Sequence, residues 1–476
     1  MTGQTTEQII VQFRGEGSGV AELTWGQLGI WQSIQESGQS RTLGGVSPLP
    51  DSYTVSDVAD TLRYAMSRHQ ALRTRFPLGP DGMPRQECFE AGEIALEIVD
   101  AGDADPAEVA AAVHERYQEK HFDYPNEWPV RMAVIRHGDR VPYMVAVYLH
   151  LILDATGLTV LINDMASRDP VTGQGPPLTG TPPLEQARKQ ASPDGQRQNA
   201  AALQYLEHVL RTVPACRFGP PRYAGERDFQ MLRYRSPAAL LAARAVAART
   251  GTNTSPVLLT SFAVALARAT GKNPVMAMLT VSNRFRPGLA DSVSTLSYIS
   301  PFMMDVAGID IAGAVGRAAQ STLSAYKNAY CNPYQQDDVW ARVNEERGTT
   351  VDLSCYYNDR RQDPRGAGEE GPPTAAQIRA ALPASRLDWV RDPEMPGTTL
   401  YLYVDDAPDA VDFELSADTR YFAAADLTAL VRGIEAVAVE AALDPDATTG
   451  VPAGPHELGT PGPASASGDA EVPAPV

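Results

Sequence analysis

The stretch PVRMAVIRHGDRVPYMVAVYLHLILDATGLTVLINDM, residues 129–165, constrains this chain more than any other. Two apolar runs stand on either side of HGDR, a turn-forming sequence, and such a pattern reads as two strands joined by a tight connection. Directly afterwards Leu158, Leu161, Ile162 and Met165 keep helical spacing. Strand, short loop and helix therefore follow one another. His150 falls at the end of the second strand, and Asp154 follows four residues on, in the loop.

The same vocabulary extends along the chain and gives an α/β reading. Upstream, Val55, Val58, Leu62, Ala65, Met66 and His69 recur at helical spacing, with Thr54 or Ser56 able to cap the start, and LRTRF reads as a strand. Another helical pattern runs from about 107 to 120. Helices are predicted over about 198–212, 237–250, 255–270 and 423–442, a strand over PVMAMLTVSNR, and a hairpin over LYLYVDDAPDAVDFELSAD. A Pro-, Gly- and Thr-rich stretch separates the halves, and DPRGAGEEGPPTAA, 363–376, reads as a surface loop. At 476 residues, two lobes are the working division: 1–175, a linker at 176–196, then 197–442. Residues 443–476 are too poor in apolar side chains to pack, so a disordered tail is expected.

Charge narrows the partners. Lys and Arg number 40 against 58 Asp and Glu, which gives 40 − 58 = −18 with no basic run. Nucleic acid and anionic membrane surfaces are disfavoured. No stretch reaches the length of a membrane span and no secretory leader is visible, so the expectation is a cytoplasmic protein. Cys88, Cys216, Cys331 and Cys355 lie far apart without a CxxC pair, which argues for reduced thiols and no thiolate metal site. His114 and His121 share one face of a predicted helix, yet no ligand cluster completes them. GxSxG, Walker, HExxH and convincing GxGxxG motifs are all absent, and GEGSGV reads as a loop.

That leaves His150 as the candidate reagent. Its near-neutral pKa suits an imidazole to take a proton from an incoming amine or hydroxyl. Asp154 either braces the loop through a buried arginine or caps the following helix. A packed histidine with a purely structural role is the competing reading.

Several stretches, taken in order, resemble condensation domains of nonribosomal peptide synthetases. SRHQALRTRF, 67–76, is similar to the signature RHExLRTxF, and LTWGQLGIW, 23–31, to the opening SxAQxRLW. LHLILDA, 149–155, occupies the place of HHxxxDG, while TVSNRFRPGL, YCNPYQQDDVWARV and DLSCYYNDRR resemble later segments more loosely. The likeness covers about residues 20–442. Leu149 and Ala155 replace the motif's first His and its Gly, and the later His and Phe of HxDxPFE are missing.

The resemblance implies two chloramphenicol acetyltransferase-like lobes in a V, with a central tunnel. It makes His150 the match of the catalytic histidine, Asp154 the structural carboxylate and Arg284 its partner. Gly157 is the candidate for an oxyanion or substrate contact. It also implies no bound cofactor, an acyl or aminoacyl thioester carried on the phosphopantetheine of a peptidyl or acyl carrier protein, and a small amine or alcohol acceptor. An acidic carrier would need a local basic patch, for which the arginines of SRTLG and RHQALRTRF are candidates. With no adenylation or carrier sequence visible, a free-standing, monomeric enzyme is expected. Two alternatives stand beside it: a noncatalytic docking platform, and an acyl-CoA-dependent acyltransferase.

Overall fold

The computed structural model describes residues 6–361, 371–390 and 397–453. They form an α/β structure of two compact units, one comprising residues up to Asn199 plus Ser282–Tyr298, the other Ala200–Val281 plus the chain from Ile299.

The first unit contains β1 (Thr6–Arg14), β2 (Gly19–Glu22), α1 (Trp25–Ser37), β3 (Thr42–Pro48), α2 (Val55–Arg68), β4 (Thr74–Arg75), β5 (Arg85–Cys88), β6 (Ala91–Asp100), α3 (Pro106–Glu119), β7 (Val130–His137), β8 (Arg140–Leu149), α4 (Ala155–Ala166) and α5 (Pro183–Ala191). Its main sheet has the order β1-β6-β7-β8-β3, and β2, β5 and β4 form a small second sheet. Both faces of the main sheet are covered, which explains the near-continuous apolar runs of β7 and β8. Val130, Met132 and Val134 join a core with Leu62 and Met66 of α2, whereas Ala133, Ile135, Val145 and Val147 pack with Val109 and Val113 of α3.

The second unit follows α6 (Pro193–Thr212), which crosses the boundary. It contains β9 (Phe229–Ser236), α7 (Pro237–Thr250), α8 (Thr254–Thr270), β10 (Val275–Val281), β11 (Tyr298–Met304), α9 (Ile311–Lys327), α10 (Pro333–Arg347), β12 (Cys355–Asp359), α11 (Ala375–Ala381), β13 (Arg386–Val390), β14 (Leu400–Ala407), β15 (Ala410–Asp418) and α12 (Ala424–Leu443). A seven-stranded sheet of order β11-β10-β12-β14-β15-β9-β13 runs through it. α8 is buried along most of its length, and apolar residues of α7, α8 and α12 pack with Leu402, Val404 and Phe413 of the sheet.

Four expectations change here. LRTRF is not a strand: residues Gln70–Arg73 make a single 3-10 turn and only Thr74–Arg75 pair with β5. The turn lets Arg73, 1% exposed, donate to the carbonyls of Gly17 at 2.7 Å and Phe89 at 2.5 Å, and to that of Glu16. The stretch 176–196 is no linker, because α5 lies within it with Leu184 and Ala187 buried. Gln186 there donates to the Thr181 carbonyl at 2.7 Å and accepts from Ser294 at 3.0 Å. The segment 282–298, expected in the second lobe, is part of the first unit. Finally, the chain past 443 stays ordered as far as 453, with Thr449 fully buried and its hydroxyl donating to the Val306 carbonyl at 2.6 Å. The rest of the expected tail, from 454, and residues 363–370 of the expected loop lie outside the described residues.

Candidate active site

Strand β8 carries the chain straight to His150. The backbone of Leu149 pairs with Thr42, and the His150 amide continues the ladder by donating to the Arg41 carbonyl at 2.8 Å. Leu149 is 1% exposed, inside the first unit's core. The side chain at this position therefore faces hydrocarbon, and a leucine there removes nothing from the solvent-facing side. Leu151, Ile152 and Leu153 are buried as well, so the loop is anchored by three consecutive apolar side chains. His150, between Leu149 and Leu151, stays partly exposed.

Its electrostatics favour the neutral imidazole. Burial lowers the pKa of His150 from its ordinary 6.5, against the opposing pull of its own carbonyl, the Asp154 carboxylate and the Leu153 carbonyl. Nδ1 is buried without a partner of good hydrogen-bond geometry among the described residues. Thr295 fixes the main chain here by donating from Oγ1 to the His150 carbonyl at 2.5 Å.

Asp154 does two jobs at once. It is the N-cap of α4, its Oδ1 accepting from the Gly157 amide at 2.6 Å. The same oxygen takes Arg284 Nη2 at 2.7 Å, and Oδ2 takes the amides of Leu296 at 2.9 Å and Ser297 at 2.7 Å. Burial alone would raise this carboxyl, but Arg284 and the amide donors overrule it and hold the pKa below 3.8. Arg284 is itself 8% exposed and spends Nη1 on the carbonyl of Ser292 at 2.8 Å, with longer bonds to Ala290 and Leu289. The carboxylate thus stitches the 282–298 segment to the loop that carries His150.

The oxyanion role expected for the Gly157 amide is corrected by this geometry. Its single N–H is committed to Asp154, and the residue is buried. The glycine serves packing instead: a Cβ at 157 would lie 2.8 Å from the Ser294 carbonyl oxygen and 3.1 Å from Arg284 Nη2. Ala155 is the exposed first residue of α4, outside the left-handed region, so the backbone there makes no demand for glycine.

Sequence reasoning did not find Asn283. It adopts φ 56°, is fully buried, and donates from Nδ2 to the Leu296 carbonyl at 2.9 Å. Asn tolerates the left-handed region better than most residues, and this bend precedes Arg284 directly. The Leu296 and Ser297 donors were equally invisible, because a main-chain amide has no residue signature. The arginines of RHQALRTRF are also not a free basic patch. Arg68 is paired with Asp164, Arg73 is buried on carbonyls, and the Arg75 guanidinium sits 4.0 Å from the centre of the Trp128 ring.

No group of three or more His, Cys, Asp or Glu able to hold a metal ion occurs among the described residues. His121 lies beyond the end of α3, edge-on to Tyr124. Cys88, Cys331 and Cys355 are buried free thiols and Cys216 an exposed one. No helix among the described residues is long and apolar enough to cross a membrane.

Comparison with known proteins adds family information. The family model described as condensation domain matches residues 19–348. The AMB antimetabolite synthetase AmbB of Pseudomonas aeruginosa is 26% identical over 276 residues, which is 56% of this chain but 22% of that protein. This chain therefore spans less than a quarter of that curated relative. Among solved structures, the condensation domain that mediates chain release from the enacyloxin polyketide synthase superposes with a TM-score of 0.66 at 20% identity, covering 95% of this chain and 86% of that one. The X-domain from teicoplanin biosynthesis, in complex with OxyB, gives 0.64 at 18% identity over 94% and 98% of the two chains. At such identities these structures speak for the fold alone.

Proposed function

Because the chain belongs to the condensation-domain family, whose fold is of the chloramphenicol acetyltransferase-like type, we propose that it joins a carrier-bound acyl or aminoacyl thioester to an amine or alcohol acceptor in natural-product biosynthesis. One observation carries this reading. A partly exposed histidine, biased to the neutral form, stands at a strand end on a loop braced by a buried carboxylate and arginine.

In the proposed reaction the acceptor nitrogen or oxygen attacks the thioester carbonyl while His150 takes its proton. The neutral imidazole carries its proton on one ring nitrogen and keeps the lone pair of the other, which serves as the base. Collapse of the tetrahedral intermediate breaks the C–S bond, and the imidazolium returns the proton to the departing sulfur. The products are an amide or ester and the free thiol of the phosphopantetheine arm. With the Gly157 amide occupied, the amides of Ala155 and Thr156, which open α4 without intrahelical acceptors, are the donors for the oxyanion. The reaction needs no covalent enzyme intermediate and no cofactor held by this chain.

The proposal is tested by incubating the protein with acyl-carrier thioesters, or in parallel with acyl-CoA, and a panel of amines and alcohols, with products read by mass. Product in the carrier arm supports it, and product confined to the CoA arm replaces it with a CoA-dependent acyltransferase. A docking platform is the second reading, and the X-domain solved in complex with OxyB is an example of this fold with a protein partner. Binding of a biosynthetic enzyme without turnover in either arm would favour that reading.

A further inference from the structure

Helix α4 starts immediately after the His150 loop, yet of its twelve residues only Gly157 and Leu161 are buried. Asp164 continues that stripe at i+7 from Gly157, so a carboxylate stands where the helix would ordinarily present another apolar anchor. It is met by the end of α2. Arg68 donates through Nε at 2.9 Å to Oδ2 and through Nη2 at 2.8 Å to Oδ1, and His69 Nε2 lies 3.0 Å from Oδ2. The side chains of Asp164 and His69 are 9% and 5% exposed. Burial alone would raise the Asp164 carboxyl, but the bonds from His69 and Arg68 hold it at about 2.

We infer that Asp164 is a positioning residue which, gripped by Arg68 and His69, fixes the register of α4 and through it the aim of His150. The inference rests on His150 being the base of the proposed reaction. Asp154 holds the helix at its start and Asp164 within its last turn, and a rigid rod clamped at both ends can neither slide nor rotate. Apolar packing of α4 is partial, because Leu158, Val160 and Met165 rest against the first unit's core while only partly buried. Beside Arg68 and His69, the partners of Asp164, lies a cavity of about 420 Å³ bordered by Pro182, Pro183 and Val293. Arg68 and His69 of SRHQALRTRF therefore act on His150 without touching it.

The test is Asp164→Asn, which keeps the shape and removes the charge, with the His150 ring titration followed by NMR. The groups that act on that ring, Asp154, Arg41 and the carbonyls of His150 and Leu153, stay unchanged in the variant. Loosening α4 hydrates His150, so its pKa moves up toward 6.5. The rate constant kcat falls about ten- to a hundredfold at unchanged KM, the scale for a base displaced by a fraction of an ångström to an ångström. An unmoved His150 titration, measured well below the melting temperature, overturns the inference whatever happens to activity or stability. If Asp164→Asn does not fold, His69→Leu removes one donor only, and the titration must shift in the same direction by a smaller amount; no shift is again fatal. Failure of the proposed function has a different signature: the titration moves, but neither wild type nor variant makes product.

Discussion

Asp154→Asn separates bracing from capping. Four donors converge on the carboxylate, two on each oxygen: Gly157 N and Arg284 Nη2 on Oδ1, Leu296 N and Ser297 N on Oδ2. A carboxamide keeps one acceptor oxygen, so whichever way it turns its NH2 faces two donors that then lack a partner. Each buried unsatisfied donor costs about 1–3 kcal/mol. Removing one member of a buried ion pair costs about 3–5 kcal/mol, and Arg284 is 8% exposed. These figures describe overlapping losses, so we expect about 3–5 kcal/mol in all. Asparagine is as good an N-cap as aspartate, so a residue that merely capped α4 would lose well under about 1 kcal/mol. Denaturant unfolding of the protein, with the slope checked for constancy, measures the difference. Activity should fall with stability. A loss below about 1 kcal/mol would refute the bracing argument.

Gly157→Ala should lower the denaturation midpoint. The helix-propensity gain of about 1 kcal/mol is outweighed because the added Cβ meets a main-chain carbonyl at 2.8 Å beside the ion pair, and such overpacking costs about 1–3 kcal/mol; a raised midpoint would contradict this. Leu149→His, which restores the family's first histidine, should cost about 1–3 kcal/mol by burying an unpartnered imidazole and should not raise turnover; a faster enzyme would show that this position faces the reaction. The folded pKa of His150 lies below its unfolded 6.5. Its neutral form therefore contributes stability that is present above 6.5 and is lost as pH falls through the folded value. The acid limb of kcat/KM should accordingly have its midpoint below 6.5, and a midpoint above that value would refute the neutral-base assignment.

Periodicity made the local elements readable wherever one face is apolar. Thr54 caps α2 and Ser236 caps α7, α8 ends at Gly271 in the left-handed region, and the β14–β15 hairpin turns at Asp409 with φ 53°. LRTRF misled because its alternation arises from a buried arginine reaching main-chain carbonyls, a demand that no period reveals. The proline-rich stretch after 176 resembled a linker because prolines and threonines are common to linkers and to segments that pack through main-chain bonds. Here the Thr181 amide donates to the Gly288 carbonyl at 2.8 Å. The candidate site was legible as residue types, since His150, Asp154 and Arg284 each carry distinctive chemistry, and the structure pairs the last two. Which amides complete the carboxylate's shell was not, because Leu296 and Ser297 act through atoms that every residue possesses.

The most direct test of the account is a single-turnover measurement on His150→Ala with an acyl-carrier thioester and an acceptor that the wild type accepts. Loss of a positioned general base predicts a fall of about 10²–10⁴-fold, with folding and carrier binding intact. Equal rates from the two proteins would show that the imidazole removes no proton in the reaction.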